Sequence, residues 1–216
     1  MTILFCDAEQ GTDEWAAARL GFITASRIND VRDRLKDGRL SAKASLYAQD
    51  VARERCGGKP ERVFVSYAMQ AGMDAEEAAR TAYWEKTDNL PFPVGFAFAF
   101  DQARMYGCSP DGLVGDDGMI EIKTLVGSAS LFRVLVDGDL SGYLNQIQFS
   151  LYLLGREWCD LVLWTPDFGL VKIIRIFPDA TWIATMMAEV DEFSAMVDVM
   201  AAELALAIER GEEAFS

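Results

Sequence analysis

The chain contains no histidine. That excludes serine–histidine triads, histidine-based metal-finger nucleases and imidazole general bases. Its four cysteines, Cys6, Cys56, Cys108 and Cys159, lie far apart with no Cys-x-x-Cys pair. They read as reduced, packed thiols rather than zinc ligands or disulfides. No apolar run approaches the ~20 residues of a membrane span. The opening Met-Thr-Ile-Leu-Phe-Cys-Asp lacks the basic region of a signal peptide, so a cytoplasmic protein without membrane attachment is expected. Positive charge is also scarce, and the net charge of −14 excludes a simple nucleic-acid-coating role. Catalysis by this chain must therefore rest on carboxylates, lysine and metal.

The charge that is present is unevenly spread. Eleven of the twenty Lys and Arg residues fall between Arg19 and Arg62, whereas from Asp179 onward one, Arg210, stands against nine acids. A basic first third suggests a phosphate-facing surface and an acidic last helix a solvent-facing one, with an ordinary solvated face as the simpler reading of either. The length of 216 residues with 51% hydrophobic content supports one sizeable core and a single domain over residues 1–216.

Taken in order, Thr12 caps a first helix that carries Trp15 and Arg19 and stops at Gly21. Phe22 to Ser26 opens a second helix through about Leu35, and such a helix start with hydroxyls and a nearby arginine suits phosphate. A basic loop covers Lys36 to Ser41, a third helix Ala42 to Cys56, and a fourth about Tyr67 to Glu85. On the fourth helix, Ala68, Gly72, Ala75, Ala79 and Tyr83 form a small, apolar stripe with Glu76 among them, while Glu77 lies on the polar face. A carboxylate on a buried stripe needs a partner, and a metal is one possibility. Strands are expected at 94–100 and 105–108, a short helix over 127–137, and a helix from Gly142 to Leu154. Trp158–Trp164 and Gly169–Phe177 read as buried strands. A long Met- and Ala-rich helix from Ala180 closes the chain, its Met186, Met187, Met196 and Met200 serving as core filler.

The chemistry concentrates between Ser109 and Thr124. Gly-Asp-Asp-Gly, flanked by Leu113-Val114 and Met119-Ile120, reads as a hairpin turn. Pairing its strands returns Asp111 to the side of Glu121, and period two places Glu121 and Lys123 on one face. Two carboxylates and an ammonium at one sheet edge suit a hard divalent cation and the water it activates. A surface hairpin with solvated charges is the alternative from this stretch alone.

Five blocks stand together in one order: Glu14-Trp15-x-x-x-Arg19-Leu20-Gly21-x-Ile23-Thr24-Ala25-Ser26; Gly72-x-x-x-Glu76-x-x-Ala79-Arg80; Ser109-Pro110-Asp111-Gly112; Glu121-Ile122-Lys123; and Tyr143-x-x-Gln146-x-Gln148. Over most of residues 11–175 this resembles the lambda-type phage exonucleases, the viral recombinase branch of the PD-(D/E)XK nuclease superfamily. The loop at 37–44 and the last helix match that pattern poorly. The resemblance implies an α/β fold with a restriction-endonuclease-like core, a central mixed β-sheet flanked by helices. It also implies a Mg²⁺-dependent 5′→3′ exonuclease on linear double-stranded DNA, with two ions per site and Mn²⁺ as a substitute. The 3′ tails it leaves would feed recombination with a phage-type single-strand annealing protein, and a homotrimeric ring would encircle the DNA.

By matching position, Asp111, Glu121 and the Ile122 carbonyl would hold Mg²⁺, with Glu76 at a second ion. Lys123 would act on the attacking water, its pKa lowered by burial beside the ions, and Gln146 would hold Lys123 and the water. Arg19, Ser26 and Ser109 would take the 5′-phosphate, and Trp15 and Met69 would contact the DNA end. Asp101 matches a further acidic position of open role. The alternatives are a structure-selective or restriction-type endonuclease on the same core, an iron–sulfur exonuclease (disfavoured by the dispersed cysteines), and a non-catalytic DNA-end binder.

Overall fold

Runs rich in β-branched and aromatic residues alternate with helix-forming stretches along the chain. The structure, a computed structural model, describes residues 2–59, 67–101 and 104–214, with side chains except at 67–74, 100–101, 104 and 212–214. Its elements are β1 (Ile3–Cys6), α1 (Asp13–Ala18), β2 (Ile23–Thr24), α2 (Ile28–Val31), α3 (Ala42–Arg55), α4 (Tyr67–Thr87), β3 (Phe96–Asp101) and β4 (Arg104–Cys108). There follow β5 (Gly112–Val114), β6 (Gly118–Thr124), α5 (Ser128–Leu131), α6 (Ser141–Leu154), β7 (Trp158–Thr165), β8 (Leu170–Ile176) and α7 (Ala180–Ala214).

The strands form two mixed four-stranded sheets with helices packed against them, ordered β1-β3-β4-β2 and β5-β6-β7-β8. In the first, β2 runs parallel to β4 while the other pairs are antiparallel. In the second, the β5–β6 hairpin is antiparallel and β6 runs parallel to β7. A parallel pair requires a crossover, and α5 and α6 supply it. Helix α6 is shared between two cores: Phe149 and Leu153 pack with the first sheet, α3 and α7, whereas Ile147 and Leu151 pack on the second sheet. That double duty explains why the continuous run Ile147-Gln148-Phe149-Ser150-Leu151 is buried. The far face of the second sheet is covered by α4 through Ala79 and Tyr83.

Local chemistry sets the helix starts. Thr12 accepts from Trp15 N at the head of α1, Ser41 accepts from Ala44 N at 3.1 Å before α3, and Asp179 accepts from Trp182 N at 2.9 Å at α7. Met186 and Met187 are buried in the core and Met196 and Met200 pack against it, as expected of filler. All four cysteines are free thiols.

Three expectations change. The helix from Phe22 to Leu35 is broken up: Ile23–Thr24 pairs with Tyr106–Gly107, a 3₁₀ turn covers Ala25–Arg27, and α2 ends at Val31. Burial of Ile23 and the bond from Thr24 N to the Tyr47 hydroxyl (3.1 Å) outweigh helix propensity there. Strand β8 is only half covered, because it is the edge of its sheet. Finally, the basic first third is not a free phosphate-facing surface. Arg32, Arg34 and Arg55 reach Glu189, Glu192 and Asp198 of α7 at 2.5, 3.1 and 2.5 Å, while Arg27 and Lys43 share Asp30. Two opposite charge blocks far apart in sequence thus hold α7 onto the body.

These pairs differ in value because exposure differs. The Arg55 side chain is 10% exposed and also donates from Nε to Gly21 O at 3.0 Å; Arg34 meets a largely exposed Glu192. Arg55→Ala is expected to lower unfolding stability by about 1–3 kcal/mol in urea denaturation, and Arg34→Ala by no more than ~0.5 kcal/mol.

Candidate active site

The hairpin turn closes through Gly115, whose φ of +53° favours glycine. Its register pairs Gly112 with Ile120, so Asp111, one residue earlier, stands beside Glu121. Asp111 Oδ2 accepts the Ile122 N–H at 2.5 Å. Glu121 is 2% exposed, between the core residues Ile120 and Ile122 of β6. Its Oε1 accepts from Lys123 Nζ at 2.7 Å and from Gln146 Nε2 at 2.5 Å, and Lys123 also donates to Gln146 Oε1 at 3.3 Å. Its Oε2 is buried with no hydrogen-bond partner among the described residues. From α4, Glu76 Oε1 accepts from Arg80 Nη2 at 2.6 Å, and the same nitrogen reaches the Asp111 carbonyl at 2.9 Å.

The electrostatics follow from this crowding. Burial, then Glu121, push the Asp111 carboxyl well above its ordinary value; Lys123 opposes and Glu76 adds to the rise. For Lys123, burial acts downward, but the Glu121 and Asp111 carboxylates outweigh it and hold the ammonium above its ordinary value.

A second group forms the neighbouring wall. Trp15 Nε1 donates to Ser109 Oγ at 3.0 Å, and Arg19 Nη2 donates to Ser26 Oγ at 3.2 Å. The Arg19 guanidinium lies 3.9 Å from the centre of the Trp15 ring. Burial lowers its pKa, partly offset by Tyr47, Cys108 and Glu54, and among the described residues it makes no ion pair. A half-buried cation held by no carboxylate among the described residues, ringed by hydroxyls and an indole, is a seat for an anion.

Both groups line one cleft of about 480 Å³. Trp15, Arg19, Ser26, Glu76, Ser109, Asp111, Glu121, Ile122, Lys123 and Gln146 all face it. Met69 lies in the first turns of α4 and Asp101 at the end of β3, and both side chains fall outside the described residues. The 37–44 segment closes on itself, with Arg39 paired to Asp37 and Ser41 capping α3.

Two contributors were missed from sequence. Arg80 ties the α4 carboxylate to the Asp111 turn; its spacing of four residues from Glu76 was the available signal. Gln10 pins that turn from the other side, donating from Nε2 to Val94 O at 2.8 Å and Pro110 O at 3.0 Å. A single glutamine so distant in the chain carries no pattern that would reveal it.

Among the described residues, no three acids or thiols are gathered into a ready-made ion cage. The reason is visible: Lys123 sits on Glu121, Arg80 on Glu76, and a backbone amide on Asp111. The donor set nonetheless fits a hard divalent cation. Three carboxylates converge on the cleft, one buried oxygen of Glu121 has no hydrogen-bond partner among the described residues, and burial, then Glu121, raise the pKa of the Asp111 carboxyl. Asp111, Glu121, Glu76 and the Ile122 carbonyl are the groups that could hold it.

The chain matches a family model described as the YqaJ-like viral recombinase domain over residues 14–157. Among solved structures it is similar to an alkaline exonuclease (LHK-Exo) from Laribacter hongkongensis, at 32% identity and a TM-score of 0.79, covering 95% of this chain and 100% of that one. A structure of LHK-Exo in complex with dAMP aligns with a TM-score of 0.77 at the same identity and coverage. A phage-related exonuclease from Haemophilus somnus 129PT shares the fold at 12% identity, TM-score 0.65, covering 87% of this chain and 96% of that one. No curated protein sequence matches.

A carboxyl whose pKa is raised on folding favours the folded state at low pH. That advantage is lost as pH rises through the range between the ordinary carboxylate value and the raised one. Asp111→Asn, which keeps an acceptor for Ile122 N, removes the neutral-pH penalty. In EDTA it is expected to be about 1 kcal/mol more stable than the parent at neutral pH, a melting-temperature rise of a few degrees. The difference should vanish as pH falls below the ordinary carboxylate value, as thermal melts across pH would show.

Proposed function

The chain belongs to the YqaJ-like viral recombinase family, and from that membership we propose a divalent-metal-dependent 5′→3′ exonuclease. It digests one strand of linear double-stranded DNA and leaves 3′ single-stranded tails for recombination. The observation that carries this reading is the joining, in one cleft, of the Asp111–Glu121–Lys123–Gln146 cluster to the unpaired Arg19 with its hydroxyls and indole. The first suits phosphodiester hydrolysis; the second makes hydrolysis end-directed.

Asp111, Glu121, Glu76 and the Ile122 carbonyl would hold Mg²⁺, two ions per site, with Mn²⁺ as a substitute. When bound, the ions supply Lewis-acid activation of water and offset charge on the attacked phosphate. Lys123 Nζ, fixed by Glu121 Oε1 and Gln146 Oε1, is placed to orient the attacking water. Arg19 takes the terminal 5′-phosphate with Ser26 and Ser109, and the Trp15 indole covers the end. The complex of LHK-Exo with dAMP, a deoxynucleoside monophosphate, is in keeping with a mononucleotide product. Recombination through a single-strand annealing partner agrees with the family's description as a viral recombinase. A ring-shaped homotrimer, a single domain over residues 1–216 and action in a bacterial cytoplasm complete the proposal.

Lys123→Ala should reduce hydrolysis at least a thousandfold (about 4 kcal/mol) while duplex affinity stays unchanged; wild-type-like turnover would remove it from the chemistry. Arg19→Ala should cut the preference for 5′-phosphorylated over 5′-hydroxyl ends about tenfold. An unaltered ratio of the two rates would sink the phosphate-pocket assignment. Covalently closed circular duplex should survive intact, and its cleavage would favour an endonuclease.

A further inference from the structure

Arg133, like Arg19, differs from the carboxylate-held cations in this part of the molecule. Lys123, Arg80, Arg27 and Arg32 are each held by a carboxylate. Arg133 makes no ion pair among the described residues; its guanidinium lies 5.6 Å from the centre of the Tyr143 ring and donates from Nη2 to the Tyr143 hydroxyl at 3.4 Å. The same ring lies 5.9 Å from Lys123 Nζ. One aromatic ring therefore serves two cations, Lys123 lining the cleft and Arg133 outside its wall.

Arg133 feels the charge of Asp139 without forming an ion pair with it. It lies against the first turn of α6, where the helix dipole presents its positive end. The nearby Asp139 already uses Oδ1 to accept Ser141 N at 2.9 Å. Gly142 permits the approach, since a Cβ there would stand 3.0 Å from Arg133 Nη1. The backbone of this segment is a π-helical turn over Phe132–Val136, closed by Asp137 N donating to Phe132 O at 3.0 Å. Such turns recur at functional sites. Buried Val134 anchors it, while Phe132 remains 65% exposed beside the arginine.

We propose that this turn is a second DNA contact, outside the cutting cleft. Arg133 takes a backbone phosphate of the strand being fed to Lys123, and Phe132 stacks on an unpaired base of that strand. The inference rests on the exonuclease reading of the cleft. A cleft of about 480 Å³ admits a nucleotide-sized ligand rather than a duplex, so the strand must part from its complement before entering. A cation not locked in an ion pair, next to an exposed aromatic ring, is the combination that binds such a strand. The ring shared with Lys123 places that phosphate within the nucleotides next to the cut.

The test is binding, read by fluorescence anisotropy in EDTA, so that it is independent of hydrolysis. The probes are a labelled duplex with a short unpaired 5′-phosphorylated end and a labelled 5′-phosphorylated dinucleotide too short to leave the cleft. Arg133→Glu should weaken binding of the frayed duplex about tenfold and flatten its log affinity–log salt slope by about one. Arg133→Lys should restore the slope, and Phe132→Ala should lose severalfold affinity with the slope unchanged. All three should bind the dinucleotide as the parent does. Parental affinity of Arg133→Glu for the frayed duplex, or equal losses on both probes, would overturn this contact while leaving the cleft assignment standing. A parent protein that binds neither probe would overturn both.

Discussion

Everything at the site depends on one buried carboxylate. Glu121 sits in the middle of β6, where Ile120 and Ile122 on either side are core residues, and strand alternation turns it to the opposite face from them. A carboxylate at 2% exposure must be compensated. Lys123, two residues on and on the same face, and Gln146, from the crossover helix, supply that compensation on one oxygen. The other oxygen has no partner among the described residues. Such a site is costly for a protein that only needs to fold, and useful for one that must hold a hard cation beside a reacting phosphate.

The rest of the fold brings the required groups to that point. Helix α6 is clamped between two cores, so Gln146 is positioned by packing on both sides. The turn bearing Asp111 joins β4 of one sheet to β5 of the other, and it is tied by Arg80 from α4 and by Gln10 from the N-terminal segment. The short β2 pairing beside β4 carries Ser26 and, through α1, Arg19 and Trp15 to the same cleft. The cutting cluster belongs to the second sheet and the anion seat to the first, so their meeting is a consequence of how the two sheets are joined.

Much of this was legible in the residues because it is local. The hairpin follows from turn chemistry and alternation over sixteen residues, and Glu76 was exposed by its place on an apolar helical stripe. Gln146 came from a block pattern, and its bonds to Glu121 and Lys123 give that pattern a physical reason. The illegible parts are long-range. Nothing in the spacing of Arg32, Arg34 and Arg55 indicates that their counter-charges lie on α7, and so the basic first third reads as a phosphate surface until the helix is placed. The segment after Gly21 looks helical by local propensity, but Ile23 is claimed by the sheet and the core. At Lys123 burial acts downward on the ammonium's pKa, while the Glu121 and Asp111 carboxylates beside it act upward.

The proposed function makes the cleft an end-directed cutter, and polarity is the property that would distinguish it from other enzymes with the same carboxylate–lysine cluster. The direct measurement is digestion of linear duplex DNA labelled separately at each 5′ and 3′ end, with and without Mg²⁺. With Mg²⁺, the 5′ label should leave first as a mononucleotide while the 3′ label of the same strand stays on long product, and nothing should be released without it. Early loss of the 3′ label, internal fragments, or equal release in EDTA would contradict the reading.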